Sequence, residues 1–150
     1  MKQIVLILLS LFLFSCGSNQ NIQLLKKNSD LKILKYINAN QLKAKKTKSG
    51  LYYIINKNGK GQKPKKNATI TSYYRGSFLN GKVFQQTDFR GTTFKLEEVI
   101  AGWKEGFSHL KLGAEAIFII PPHLAYGSKG SNQIPGETIL VFEVKLLSIK

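Results

Sequence analysis

Acidic side chains are scarce in this 150-residue chain: 8 Asp and Glu stand against 23 Lys and Arg, a formal net charge of +15. Anionic surfaces will attract such a protein, and nucleic acid is the first partner that charge alone suggests. Cysteine is scarcer still. The single one, Cys16, excludes an internal disulfide and any cysteine-built metal site. The two histidines, His109 and His123, have no partner cluster, so no metal and no cofactor is expected. No nucleophile and no acid–base pair declares itself either. The length suits one domain with extensions, long enough to bury a core but not two.

What is present begins with an apolar run from Ile4 to Phe14 behind Lys2, too short to span a membrane and of signal-peptide size. Cys16 falls at its end, after Ser15 and before Gly17-Ser18, which resembles the lipobox of bacterial lipoproteins; Phe14 is bulkier than is usual there. The resemblance implies cleavage before Cys16, lipid on its sulfur, and a membrane-tethered protein of the bacterial cell envelope. That address argues against nucleic acid. Residues 1–15 are then a leader, and residues 16–28, rich in Ser, Asn and Gln, read as a flexible tether. Residues 29–48 read as a basic helical segment, with Ser29 as N-cap and Leu31, Leu34, Ile37 and Leu42 as its loose apolar stripe. Its lysines suit anionic lipid headgroups or a merely solvated face.

From Ser49 the hydrophobic period changes to two. Strands are predicted at residues 51–55, 68–78, 114–120 and 138–149, with Asn80-Gly81 as a hairpin turn into Lys82-Val83-Phe84. Between them, Val99, Trp103, Phe107 and Leu110 recur at helical spacing, with Glu97 and Glu98 at the start and Lys111 and Gly113 at the stop. Gly102 and Gly106 each cost about 1 kcal/mol inside a helix. Standing four apart, they imply a sheet packed closely over one face, with Trp103 as either pocket floor or plain core. The fold class expected is α+β: a small twisted antiparallel sheet wrapped around one short helix, preceded by a short helical segment.

Tyr73-Tyr74-Arg75-Gly76, Gly81-Lys82-Val83-Phe84, Val99-Ile100-Ala101-Gly102-Trp103, Ala125-Tyr126-Gly127 and Leu140-Val141-Phe142-Glu143-Val144 follow one another over residues 49–150 in an order that resembles the FKBP-type peptidyl-prolyl isomerases. The resemblance implies a cleft with Trp103 as floor, Tyr74, Phe84, Val99, Ile100, Ile134 and Phe142 as walls, and Tyr126 as a rim donor. It assigns the catalytic set to Tyr74, Phe84, Trp103, Tyr126 and Phe142, and substrate contacts to Val99, Ile100, Ile134, Gln85 and Phe94. The Ile100 backbone N–H matches the group that binds a substrate or inhibitor carbonyl. Proline-containing polypeptides are the implied clients and macrolides the implied inhibitors.

Gln85 departs from the family's pattern, where an aspartate commonly follows the aromatic matching Phe84. Asp88 stands three residues on as a conceivable substitute, and His123, where the family often has an acid, reads as surface. Two functions therefore compete. One is a tethered isomerase; the other is a tethered binding module or chaperone of the same fold with little turnover.

Overall fold

The computed structural model describes residues 16–150. The leader lies outside the described residues, and so does the side chain of Cys16. Helix α1 (Cys16–Ala39) comes first, then β1 (Lys45–Lys46), β2 (Tyr52–Lys57), β3 (Thr69–Phe78), β4 (Val83–Gln86) and β5 (Thr92–Lys95). A 3-10 turn (Leu96–Glu98) leads into α2 (Ala101–Ser108), followed by β6 (Glu115–Ile120), a second 3-10 turn (Pro122–Leu124) and β7 (Leu140–Ile149).

All pairings are antiparallel, in the spatial order β1-β2-β6-β7-β3-β4, with β5 also against β3. β6 and β7 form the centre, with Phe118 opposite Phe142, Ile119 opposite Val141 and Ile120 opposite Leu140. Because side chains alternate along a strand, these pairs face opposite sides in turn. Phe118, Ile120, Leu140 and Phe142 join α2's Trp103 and Phe107 in the main core. Ile119 and Val141 turn to the other side, where Ile33 and Ile37 of α1 pack with Tyr52 and Ile139. The sheet is thus covered by a helix on each face.

The two helix glycines are explained by contact. A Cβ at Gly102 would sit 2.5 Å from Ile120 Cγ2, and one at Gly106 would sit 2.7 Å from Cε2 and Cζ of Phe118. The hairpin after β3 closes with Phe78 N–H donating to Lys82 O at 3.0 Å and Gly81 N–H to Phe78 O at 2.9 Å. Only Gly81, at φ 83°, takes the left-handed conformation, so this is the longer hairpin with a glycine bulge rather than a two-residue turn.

Three expectations are corrected. Residues 16–28, read as a flexible tether, are helical, and α1 runs unbroken through Ser29, which is buried inside the helix and is not its N-cap. The buried stripe of α1 is Ser29, Ile33 and Ile37, whereas Leu31 and Leu34 are exposed. Asp30 helps choose that face, since it accepts from Tyr52 Oη at 2.7 Å and pairs with Lys46 Nζ at 2.6 Å. The helix stops when Gln41 turns left-handed (φ 52°) and the N–H groups of Gln41 and Leu42 bond back to Asn38 O and Ile37 O. In the third correction, α2 is shorter than its apolar spacing suggests: Val99 and Ile100 are extended, and the helix ends at Ser108. The polar passage before Phe94 also conceals a strand, β5. No described helix is long and apolar enough to cross a membrane.

Candidate functional site

The break between the 3-10 turn and α2 builds the site. Val99 (φ −99°, ψ 170°) and Ile100 (φ −58°, ψ 151°) are extended, so the chain reverses into the helix with both side chains half-buried against the core. Ile100 O accepts from the N–H groups of Trp103 and Lys104, at 3.0 and 3.1 Å, while its own N–H has no partner among the described residues. A free backbone donor at a helix start suits a ligand carbonyl.

One turn inside the helix, Trp103 is only 7% exposed. Around it stand Tyr74 (ring centroids 4.8 Å apart), Phe142 (5.0 Å), Phe94 (5.1 Å) and Phe107 (5.6 Å), with all but Phe94 meeting the indole edge to face. Phe84 extends the set by meeting Phe142 at 5.6 Å. Such geometry suits the quadrupoles of the rings. The indole Nε1–H is buried and has no hydrogen-bond partner among the described residues. Leaving a buried donor unpaired costs about 1–3 kcal/mol, so the arrangement holds a polar atom in reserve among apolar walls.

Gly76 lets these rings converge. It lies opposite Phe142 in the β3–β7 ladder, and a Cβ there would meet Phe84 Cζ at 2.6 Å and Phe142 Cε1 at 2.8 Å. Sequence reasoning quoted Gly76 in a motif but gave it no role. The signal available was a glycine in a strand interior, which marks a close approach.

Burial, and secondarily the nearness of Tyr126, push the Tyr74 phenol above its ordinary pKa. Among the described residues no carboxylate contributes to that shift. Tyr126 itself is 37% exposed, and its hydroxyl has no partner among the described residues. Ile134 is buried in the same core as Trp103. Gln85 is exposed and lies opposite Gly76 in the β3–β4 ladder, and its side chain makes no hydrogen bond among the described residues. Asp88 does not replace the missing carboxylate. Arg90 holds it, donating from Nη2 at 2.7 Å and Nε at 3.1 Å, and the pair lowers the Asp88 pKa.

His123, read as plain surface, is exposed but engaged. Its Nε2 donates to Ser49 O at 2.8 Å, tying the turn after β6 to the start of the sheet. Among the described residues no three His, Cys, Asp or Glu side chains converge as a metal site would require. The aromatic cluster, the free Ile100 N–H and the rim hydroxyl can together hold an apolar group and a carbonyl, and nothing in them forms or breaks a covalent bond.

Residues 60–147 match the family described as FKBP-type peptidyl-prolyl cis-trans isomerase. The FKBP-type peptidyl-prolyl cis-trans isomerase FkpA of Buchnera aphidicola subsp. Schizaphis graminum is 49% identical over 108 residues, 70% of this chain and 43% of that protein. The FkpA of Escherichia coli K12 is 41% identical over 108 residues, 71% of this chain and 40% of its own length. This chain therefore spans about two-fifths of the length of these curated relatives. The crystal structure of FkpA from Escherichia coli superposes with a TM-score of 0.72 at 33% identity, over 89% of this chain and 66% of the other. A peptidyl-prolyl cis-trans isomerase from Pseudomonas syringae pv. tomato gives 0.72 at 28% identity, over 83% of this chain and 95% of its own.

Proposed function

The chain belongs to the FKBP-type peptidyl-prolyl cis-trans isomerase family, and we propose that it catalyses rotation about X-Pro bonds in polypeptides of the bacterial cell envelope. The observation that carries this reading is the Trp103 floor, ringed by Tyr74, Phe94, Phe107 and Phe142, with an Ile100 N–H at the helix start that has no partner among the described residues.

Amide resonance opposes the rotation with a barrier of about 18–20 kcal/mol. A catalyst has only to bind the twisted amide better than either planar isomer. The twisted amide has lost charge separation and gives up less hydration on entering an aromatic cleft. The prolyl ring lies over Trp103, walled by Tyr74, Phe84, Val99, Ile134 and Phe142. Ile100 N–H and the Tyr126 hydroxyl hold the flanking carbonyls, and Phe94 closes the side. The same cleft suits macrolide inhibitors, which offer an apolar ring and a carbonyl. We place the isomerase domain at residues 49–150 and the membrane tether at a lipidated Cys16, after removal of residues 1–15.

The second reading, a binding module or chaperone with little turnover, is favoured by one observation: Gln85 carries no charge and Asp88 is held by Arg90. Residues 16–150, wild type and Gln85→Asp, are compared in a protease-coupled assay of cis-to-trans conversion of a short X-Pro-Phe peptide. Clear acceleration by the wild type supports the isomerase. Peptide quenching of Trp103 fluorescence without acceleration, and turnover only in Gln85→Asp, supports the binding module.

A further inference from the structure

We propose that a basic basin formed between α1, the turn after β1 and the turn after β6 binds the phosphate of an anionic phospholipid. This deepens the envelope reading above, yet it stands on the basin and not on acylation of Cys16. A cavity of about 360 Å³ opens there, lined by Lys26 and Lys27 of α1, Lys46 and Lys48, and the His123 ring beside Gly50. Four lysines thus line one space. Among the described residues the one carboxylate lining it is Asp30, already engaged by Lys46 at 2.6 Å and Tyr52 at 2.7 Å, while Glu105 adjoins it by accepting from the Ser49 hydroxyl. Lys26, Lys27 and Lys48 face it without an ion pair among the described residues. The floor is held in shape, because His123 Nε2 donates to Ser49 O at 2.8 Å and the ring packs 3.4 Å from where a Gly50 Cβ would stand.

The occupant is an amphiphile because of what adjoins the basin. Lys26 and His123 also line a second hollow of about 200 Å³, whose other walls include Ile22, Leu25 and Pro122, with Glu137 as its one acid. Ile22 and Leu25, 49% and 44% exposed, stand together on one wall of this hollow, so they offer adjoining apolar surface beside the lysines. A headgroup phosphate in the lysine basin would place the start of an acyl chain along Ile22 and Leu25. Lysines near an anionic leaflet add to one another's attraction, and the basin gathers three that Asp30 does not neutralise.

The test uses the full chain in nonionic micelles, with amide shifts of Gly50, His123 and Leu25 followed by NMR. Dihexanoyl phosphatidylglycerol, glycerol 1-phosphate and inorganic phosphate are titrated separately. Saturable binding of the lipid is expected, moving all three amides, with the two soluble phosphates moving Gly50 and His123 alone and binding at least fivefold more weakly. Lys27→Gln with Lys48→Gln, both exposed side chains, should weaken lipid binding at least tenfold. Lys63→Gln with Lys65→Gln, an equal loss of charge in another loop, should weaken it less than twofold. Equal losses in the two double variants would reduce the effect to net charge and overturn the site. Equal affinity for glycerol 1-phosphate and the lipid would overturn the phospholipid assignment and leave a soluble phosphate as the ligand.

Discussion

Replacing Gly106 by alanine opposes two effects of known size. On an exposed helix the change would stabilise by about 1 kcal/mol, because alanine loses less backbone freedom on folding. Here the added methyl would sit 2.7 Å from two ring carbons of Phe118 and 2.9 Å from a third. Ordinary carbon contacts lie at about 3.5–4.0 Å, so the ring would have to retreat by nearly 1 Å. It has nowhere to go. Phe118 is fully buried, meets Phe107 edge-on at 5.4 Å, and belongs to β6, which is paired on both sides. Overpacking of this kind costs about 1–3 kcal/mol, which offsets or exceeds the helix gain and leaves Gly106→Ala less stable by up to about 2 kcal/mol. The urea midpoint should fall with an unchanged m-value, and the melting temperature should drop by up to about 6 °C.

Since the cheapest relief is to slide α2 along the sheet, Trp103 moves with it, and peptide turnover should fall as well. In a Phe118→Leu background the methyl fits, and Gly106→Ala should become neutral or stabilising. A rise in stability of Gly106→Ala in the wild-type background would refute the reasoning, because it would mean the glycine is not held by the sheet.

Tyr126→Phe should leave stability within about 0.5 kcal/mol, the hydroxyl being exposed and unpartnered, yet lower kcat/KM on an X-Pro peptide by about 2–10-fold for one lost hydrogen bond. Asp30→Asn removes the negative charge that pairs with Lys46 and leaves Tyr52 and Lys46 a weaker, neutral amide oxygen; hydrogen exchange of the Ile33 and Ile37 amides should speed up, with a global cost below about 1 kcal/mol because the carboxylate is still 32% exposed. Burial works to raise the Asp30 pKa, but the hydrogen bonds from Lys46 and Tyr52 and the charge of Lys46 outweigh it and lower it. Its contribution is therefore present above about pH 4 and is lost as pH falls through the depressed folded value, so wild-type α1 exchange should approach that of Asp30→Asn only in acid.

The parts of the fold that were legible in the sequence are those where one residue has a single physical use. Gly102 and Gly106 inside a helical pattern announced a close sheet, and Ile120 and Phe118 occupy the space their missing methyls leave. Asn80-Gly81 announced the hairpin, although its loop is one residue longer than that dipeptide favours. The ring cluster was legible only through resemblance, because an aromatic at helical or strand spacing looks the same whether it lines a cleft or fills a core. What resisted reading was wherever a pattern had two solutions. Along α1, Leu31 and Leu34 compete with Ile33 and Ile37 for the sheet, and both pairs satisfy helical spacing. The β-branched pair is chosen because that face also brings Asp30 to Tyr52 and Lys46, a contact spread over three elements that no local period contains. The consequence reaches function. The face that wins the sheet turns Ile22, Leu25, Lys26 and Lys27 toward the hollows beside His123, so the residues that look like a solvated tether in sequence become, once docked, the wall of a basin with shape and sign.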